Sequence, residues 1–142
     1  MSGERRRQVA VVGAGGAEEG SETWGLAEAG AVVAGAGGEV IGILPWTEPG
    51  EANPDCTHVV ATGVGHARNL AVVGSGEIVI AIGGEWGTLS EIGHARSLGR
   101  TVVALHTWTL IGRDQMEGAP GVIPVETPEE AVAAALAELP SG

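Results

Sequence analysis

Short apolar runs rich in β-branched residues punctuate this chain, and they constrain its fold more than any other feature. They are Gln8–Gly13, Ala31–Ala34, Glu39–Leu44, Thr57–Ala61, Glu77–Gly83, Thr101–His106 and Gly121–Val125. Most are continuous and do not alternate apolar with polar. A strand with one face in water alternates, whereas a strand covered on both faces does not. Helix-like stretches separate several of these runs. Trp86–Leu98 carries apolar Leu89, Ile92, Ala95 and Leu98, with Gly99 as a stop. Thr127 can cap a last helix that runs on through Ala131–Leu139, with Pro128 at its first position and Glu129 and Glu130 at its positive end. Gly65–Val73 reads as a further helix. Strands alternating with helices predict an α/β fold, a mostly parallel sheet with helices on both faces.

One connection resists this scheme. Only Gly35-Ala36-Gly37-Gly38 separates the run ending at Ala34 from the run starting at Glu39. Parallel neighbours need a crossover of roughly a dozen residues or more. These two runs therefore form a hairpin, or one bent strand, or the crossover is absent. The preceding helical stretch, Ser21–Ala29, supplies barely two turns.

At 142 residues, the chain fits a single domain spanning 1–142, able to bury its own core. Its formal charge is −11, and three of its 7 basic residues sit together as Arg5, Arg6 and Arg7. A body this acidic excludes nucleic acid and anionic membrane as general partners. An anionic ligand must be held locally, by backbone N–H groups and a placed Arg. No stretch reaches the roughly 18 apolar residues of a membrane span. The Val9–Gly13 run is too short for a signal peptide. The single Cys56 allows no internal disulfide and no Cys-rich metal site. Together these predict a soluble cytoplasmic protein. The four His (His58, His66, His94 and His106) have no metal-ligand spacing, and no metal site is expected.

Two glycine-rich loops carry the chemistry. Gly83-Gly84-Glu85-Trp86-Gly87-Thr88 follows a buried strand and opens a helix. Glycines there let the backbone approach a ligand, and the helix start offers N–H groups to an anion. Thr88 can add a hydroxyl, and Glu91 lies one turn further on. Trp86 either stacks on a flat base or plugs the core. The second loop, Thr62–Asn69, also runs from strand to helix and carries Arg68, whose planar fork suits phosphate or carboxylate. His66 lies beside it. The first turn, Gly13-Ala14-Gly15-Gly16, supports ligand approach, but it is not a GxGxxG fingerprint and Glu18 and Glu19 follow it. Trp46 and Trp108 are candidates to line the same cleft or a subunit contact.

The stretch Gly83–Glu91 resembles the PGGxGTxxE motif of the LOG-like proteins, once labelled lysine decarboxylases. Glu39–Pro45, Glu51–Pro54, Thr62–Asn69 and Ile80–Ile92 are similar to the branch that joins DprA/Smf-related proteins with molybdenum-cofactor carriers. The resemblance implies a Rossmann-like fold, a homo-oligomer, and a phosphate-containing ligand over the glycine loop. That ligand is a nucleoside monophosphate or the molybdenum cofactor. Its binding residues would be Gly13, Gly15, Gly83, Gly84, Glu85, Trp86, Gly87, Thr88 and Asn69. In the family's hydrolases, which cleave nucleoside 5′-monophosphates to base and ribose phosphate, a Glu and an upstream Arg are catalytic. Glu91 and Arg68 occupy those positions. The resemblance also implies a second glycine-rich loop and helix between the second and third strands, where this chain has only Gly35–Gly38.

Overall fold

The computed structural model describes residues 7–13, 35–114 and 118–139. Within them lie six strands: β1 (Val9–Gly13), β2 (Ile41–Leu44), β3 (His58–Ala61), β4 (Ile78–Ile82), β5 (Thr101–Leu105) and β6 (Val122–Val125). Three α-helices accompany them: α1 (Arg68–Ser75), α2 (Trp86–Ser97) and α3 (Pro128–Glu138). Every strand pairing between them is parallel. The expected α/β, Rossmann-like architecture is what the chain adopts. Boundaries agree with the sequence reading to within one to three residues. The runs Ala31–Ala34 and Ser21–Ala29 lie outside the described residues.

Four strands form one sheet in the order β1-β4-β5-β6. Its central strands are apolar throughout because both faces are covered. Alternate side chains of β4 and β5 enter opposite cores. Val79, Ala81 and Val102 pack with Ala10, Val12, Val73, Ile92 and Ala95, beneath α1 and α2. Ile78, Val103 and Leu105 pack with Ala131, Ala135 and Leu139, beneath α3. Continuous β-branched runs are the sequence consequence of this sandwich.

β2 and β3 form a separate two-stranded sheet among the described residues. Residues 45–57 join them, with only a 3-10 turn at Pro49–Glu51, which is long enough for a parallel return. Helix α1 packs on β1 and also touches β2, linking the two sheets. A 3-10 turn at Gly65–Ala67 feeds directly into α1, so the expected Gly65–Val73 helix is two helical segments.

The Gly35–Gly38 connection lies within the described residues, whereas the run expected before it does not. Gly35 itself is helical, Ala36 and Gly37 turn, and Gly37 has φ 81. Glycine supplies that left-handed geometry at helix ends. These residues lead from a helical position into β2.

Candidate functional site

The strand β4 ends in Ile82, and the next two residues reverse the backbone hand. Gly83 has φ 54 and Gly84 has φ 85. L-residues pay for such angles, so two glycines in succession mark a turn that needs them. Gly84 is further restricted, because a Cβ there would collide with Thr88 Oγ1. Thr88 is only 3% exposed, so its hydroxyl braces the turn. Glu85 then occupies the N-cap of α2 with no side-chain cap bond. The first-turn N–H groups of α2 have no partner within the helix and carry its positive end.

Register places this loop beside the first turn. Gly13 pairs with Ile82 and β5's Leu105 lies on the other side of it. The expected Gly13 therefore sits against the loop, at the C-terminal edge where α/β sheets take ligands. Gly15 lies outside the described residues.

Arg68 and Glu91 come together from different helices. Arg68 opens α1, and its Nη1 donates to the Ile43 carbonyl of β2 at 2.8 Å. Glu91 lies in the second turn of α2, which packs on α1. Burial lifts the Glu91 carboxyl from an ordinary 4.5 to about 7, while the Arg68 charge pulls it back down. A half-buried carboxyl poised near neutrality can give or take a proton. Asn69 follows Arg68 in α1 and is half-buried, whereas His66 is exposed. Cys56 packs its Sγ where a Cβ on Gly42 would stand, 2.7 Å away. Its thiol is pushed up by burial and then by Asp55.

Residues after β5 complete the surroundings, and the sequence reading missed what most of them do. His106 has φ 47, a left-handed angle on a residue that is not glycine. Its Nε2 lies 3.8 Å from Glu126 Oε2. The Thr107 hydroxyl donates to the Gly83 carbonyl. Trp108 Nε1 donates to the Glu85 carbonyl at 3.0 Å. The signal available was position alone: these residues directly follow a buried parallel strand. A cavity of about 220 Å³ opens here, lined by Trp108, Leu110, Val122, Val125 and Glu126 among others. It does not include Arg68 or Glu91. Trp86 is 72% exposed, which excludes the core-plug reading, and its ring lies 4.8 Å from that of Trp108 at 45°. Trp46 is exposed and not part of that ring contact.

A parallel sheet with helices on both faces and a glycine turn at the C-terminal end of its central strand defines a Rossmann-like α/β protein. The chain belongs to the SLOG cluster4 family, whose model matches residues 9–132. An uncharacterized protein of Archaeoglobus fulgidus is 38% identical over 96 residues, which is 68% of this chain and 58% of that protein's length. The chain thus spans under two-thirds of that relative. The molybdenum cofactor binding protein of Rippkaea orientalis superposes with a TM-score of 0.75 at 22% identity, over 95% of this chain and 98% of that one. The molybdenum cofactor carrier protein of Chlamydomonas reinhardtii gives 0.72 at 23% identity, over 94% and 100%.

Proposed function

We propose that this protein binds and carries a small phosphate-containing ligand, of nucleotide or molybdenum-cofactor type, at the Gly83–Thr88 loop. The observation that carries this reading is the pair of left-handed glycines, Gly83 and Gly84, at an uncapped helix start. Such a start is a ready anion site. Arg68, one of few cations in an acidic body, stands on the neighbouring helix. Gly13, Gly15, Trp86, Gly87, Asn69 and the backbone of Glu85 complete the proposed binding set. The solved structures named as cofactor carriers support the carrier form of the reading. Among the described residues no cluster of three His, Cys, Asp or Glu side chains can hold a metal ion. The donors present suit the phosphate and ring of a molybdenum cofactor cargo rather than its metal. No helix of the described residues is long and apolar enough to cross a membrane.

In this reading the chain is one domain that works in the cytoplasm as a homo-oligomer, with neither nucleic acid nor membrane as partner. Val132 and Leu136, one turn apart and exposed on α3, support self-association.

Thermal unfolding with AMP or inorganic phosphate tests the binding. A ligand at a hundredfold excess over its Kd adds about 2.7 kcal/mol of stability. Arg68→Ala should weaken the response. No shift with any phosphate ligand overturns the reading. The raised Glu91 carboxyl favours one alternative, a nucleoside 5′-monophosphate N-glycosidase with Glu91 and Arg68 catalytic. Free base released from AMP, and abolished in Glu91→Gln, would establish that activity.

A further inference from the structure

We infer that Trp86 and Trp108 form a stacking floor that selects ligands bearing a flat heteroaromatic ring, with Trp86 the contacting residue and Trp108 its positioning residue. This rests on the phosphate site proposed above and adds the part of the ligand that site leaves unread. A large indole that is 72% exposed gains nothing from burial, and the fold gives it a fixed seat all the same. Trp86 is the first residue of α2, so its backbone is set by the helix and the glycine turn before it. Its ring rests against Trp108, with centroids 4.8 Å apart. Trp108 is itself anchored twice. Its indole N–H bonds the Glu85 carbonyl, and its ring packs partly against the core beneath α1 and α2. The adjacent Thr107 hydroxyl bonds the Gly83 carbonyl. Two loop carbonyls, those of Gly83 and Glu85, are therefore tied to the segment that carries the second indole.

The topology then sets the polarity of the site. The glycine loop follows β4, and β4 lies between β1 and β5. Arg68 stands on α1, which packs on β1, whereas Trp108 follows β5. Arg68 and Trp108 thus flank the loop from opposite sides, and Trp86 stands on the loop itself. A ligand with its phosphate on the loop and towards Arg68 would extend its other end over Trp86. Indole faces stack on any flat π-system, so the recognised chemistry is a phosphorylated heteroaromatic ring, purine or pterin.

Calorimetric titration of the whole chain tests this with four probes: AMP, neopterin monophosphate, ribose 5-phosphate and inorganic phosphate. At least one ring-bearing probe should bind about tenfold or more tighter than ribose 5-phosphate, the size expected of one stacked base. Which of the two gains more separates a purine from a pterin source. Trp86→Ala should bring that ratio close to one, Trp86→Phe should keep most of it, and Trp108→Ala should lower it. The ring-bearing probe should also quench tryptophan fluorescence in the wild type, and less so in Trp86→Phe; this measurement stands even where an alanine variant does not fold. If ribose 5-phosphate binds and the ring adds nothing, or if the ratio survives in folded Trp86→Ala, the stacking floor is overturned and the phosphate site stands. If none of the probes binds, both fall.

Discussion

Two nearly identical segments meet opposite fates in this molecule. Thr101-Val102-Val103-Ala104 forms β5, and Val102 and Val103 are sealed from solvent. Val59-Val60-Ala61 ends β3, and both valines are exposed. Local propensity cannot tell them apart, since β-branched pairs favour strands in either place. The difference is tertiary: β5 has a strand on each side and helices on both faces, whereas among the described residues β3 pairs only with β2. Sheet membership, not sequence, decides what such a run contributes. Val103→Ala should cost about 2–3 kcal/mol of stability, read as a lower denaturation midpoint. Val60→Ala should stay within about 0.5 kcal/mol. Equal losses would mean that β2 and β3 belong to the same cooperative core as β5.

The glycines divide in the same way. Gly65, between β3 and α1, has φ 61 and open space where a Cβ would stand. Gly84, after β4, has φ 85 and no such space, because Thr88 fills it. An alanine at either position pays about 1–2 kcal/mol for the left-handed backbone. Gly84→Ala must also displace a buried threonine, so it should lie at the upper end of that range and abolish phosphate binding. Gly65→Ala should spare most of the binding. Equal loss of binding in both would place the ligand on the Thr62–Asn69 loop instead.

Much of this was legible in the chain, for definite reasons. Continuous apolar runs report burial on two faces, so β4 and β5 were evident. Thr127 accepts from the Glu130 N–H at 3.2 Å, as its position before Pro128 foretold. Gly83 and Gly84 announced a turn that only glycine makes cheaply. What remained hidden depends on distant partners. Nothing local says that Trp108 will bond Glu85, 23 residues away. Nor does anything local say that Arg68 will reach back 25 residues to Ile43. The left-handed His106 is a third case, since a histidine there gives no sign of the angle it is held at. The run Thr57–Ala61 misled differently: its pattern matched a two-face-covered strand that β3 is not.

Arg68 joins the two halves, and Glu91 reports on that junction through pH. The folded carboxyl, at about 7, holds its proton more tightly than an ordinary one at 4.5. Protonation therefore favours the fold. This contribution is complete below about 4.5, is lost as the pH rises through about 7, and is absent above that. Glu91→Gln should remove this component from the pH dependence of stability. Arg68 opposes the shift, so Arg68→Gln should raise the Glu91 midpoint further, seen by NMR of the carboxyl carbon. An unmoved midpoint would mean that the guanidinium held at Ile43 does not act across to α2.

The smallest expected effect concerns Glu85. Glu85 stands between the Gly83–Gly84 pair and the Gly87-Thr88 step that follows. Its φ of −108 needs no glycine, so the side chain is tolerated sterically. Electrostatically it is a carboxylate, exposed and uncapped, at the one helix start proposed to receive an anion. An exposed charge of like sign a few ångströms away costs a screened ligand no more than about 1 kcal/mol. Glu85→Gln should therefore tighten inorganic phosphate binding by a few-fold at low salt, and the gain should shrink as salt is added. Val64, exposed at the start of the Gly65 turn in the other half, provides the contrast: Val64→Glu should leave that affinity within error. If instead the Val64 variant weakens phosphate and Glu85→Gln does nothing, the anion lies against the thinly buried half, and the glycine turn after β4 serves the fold alone.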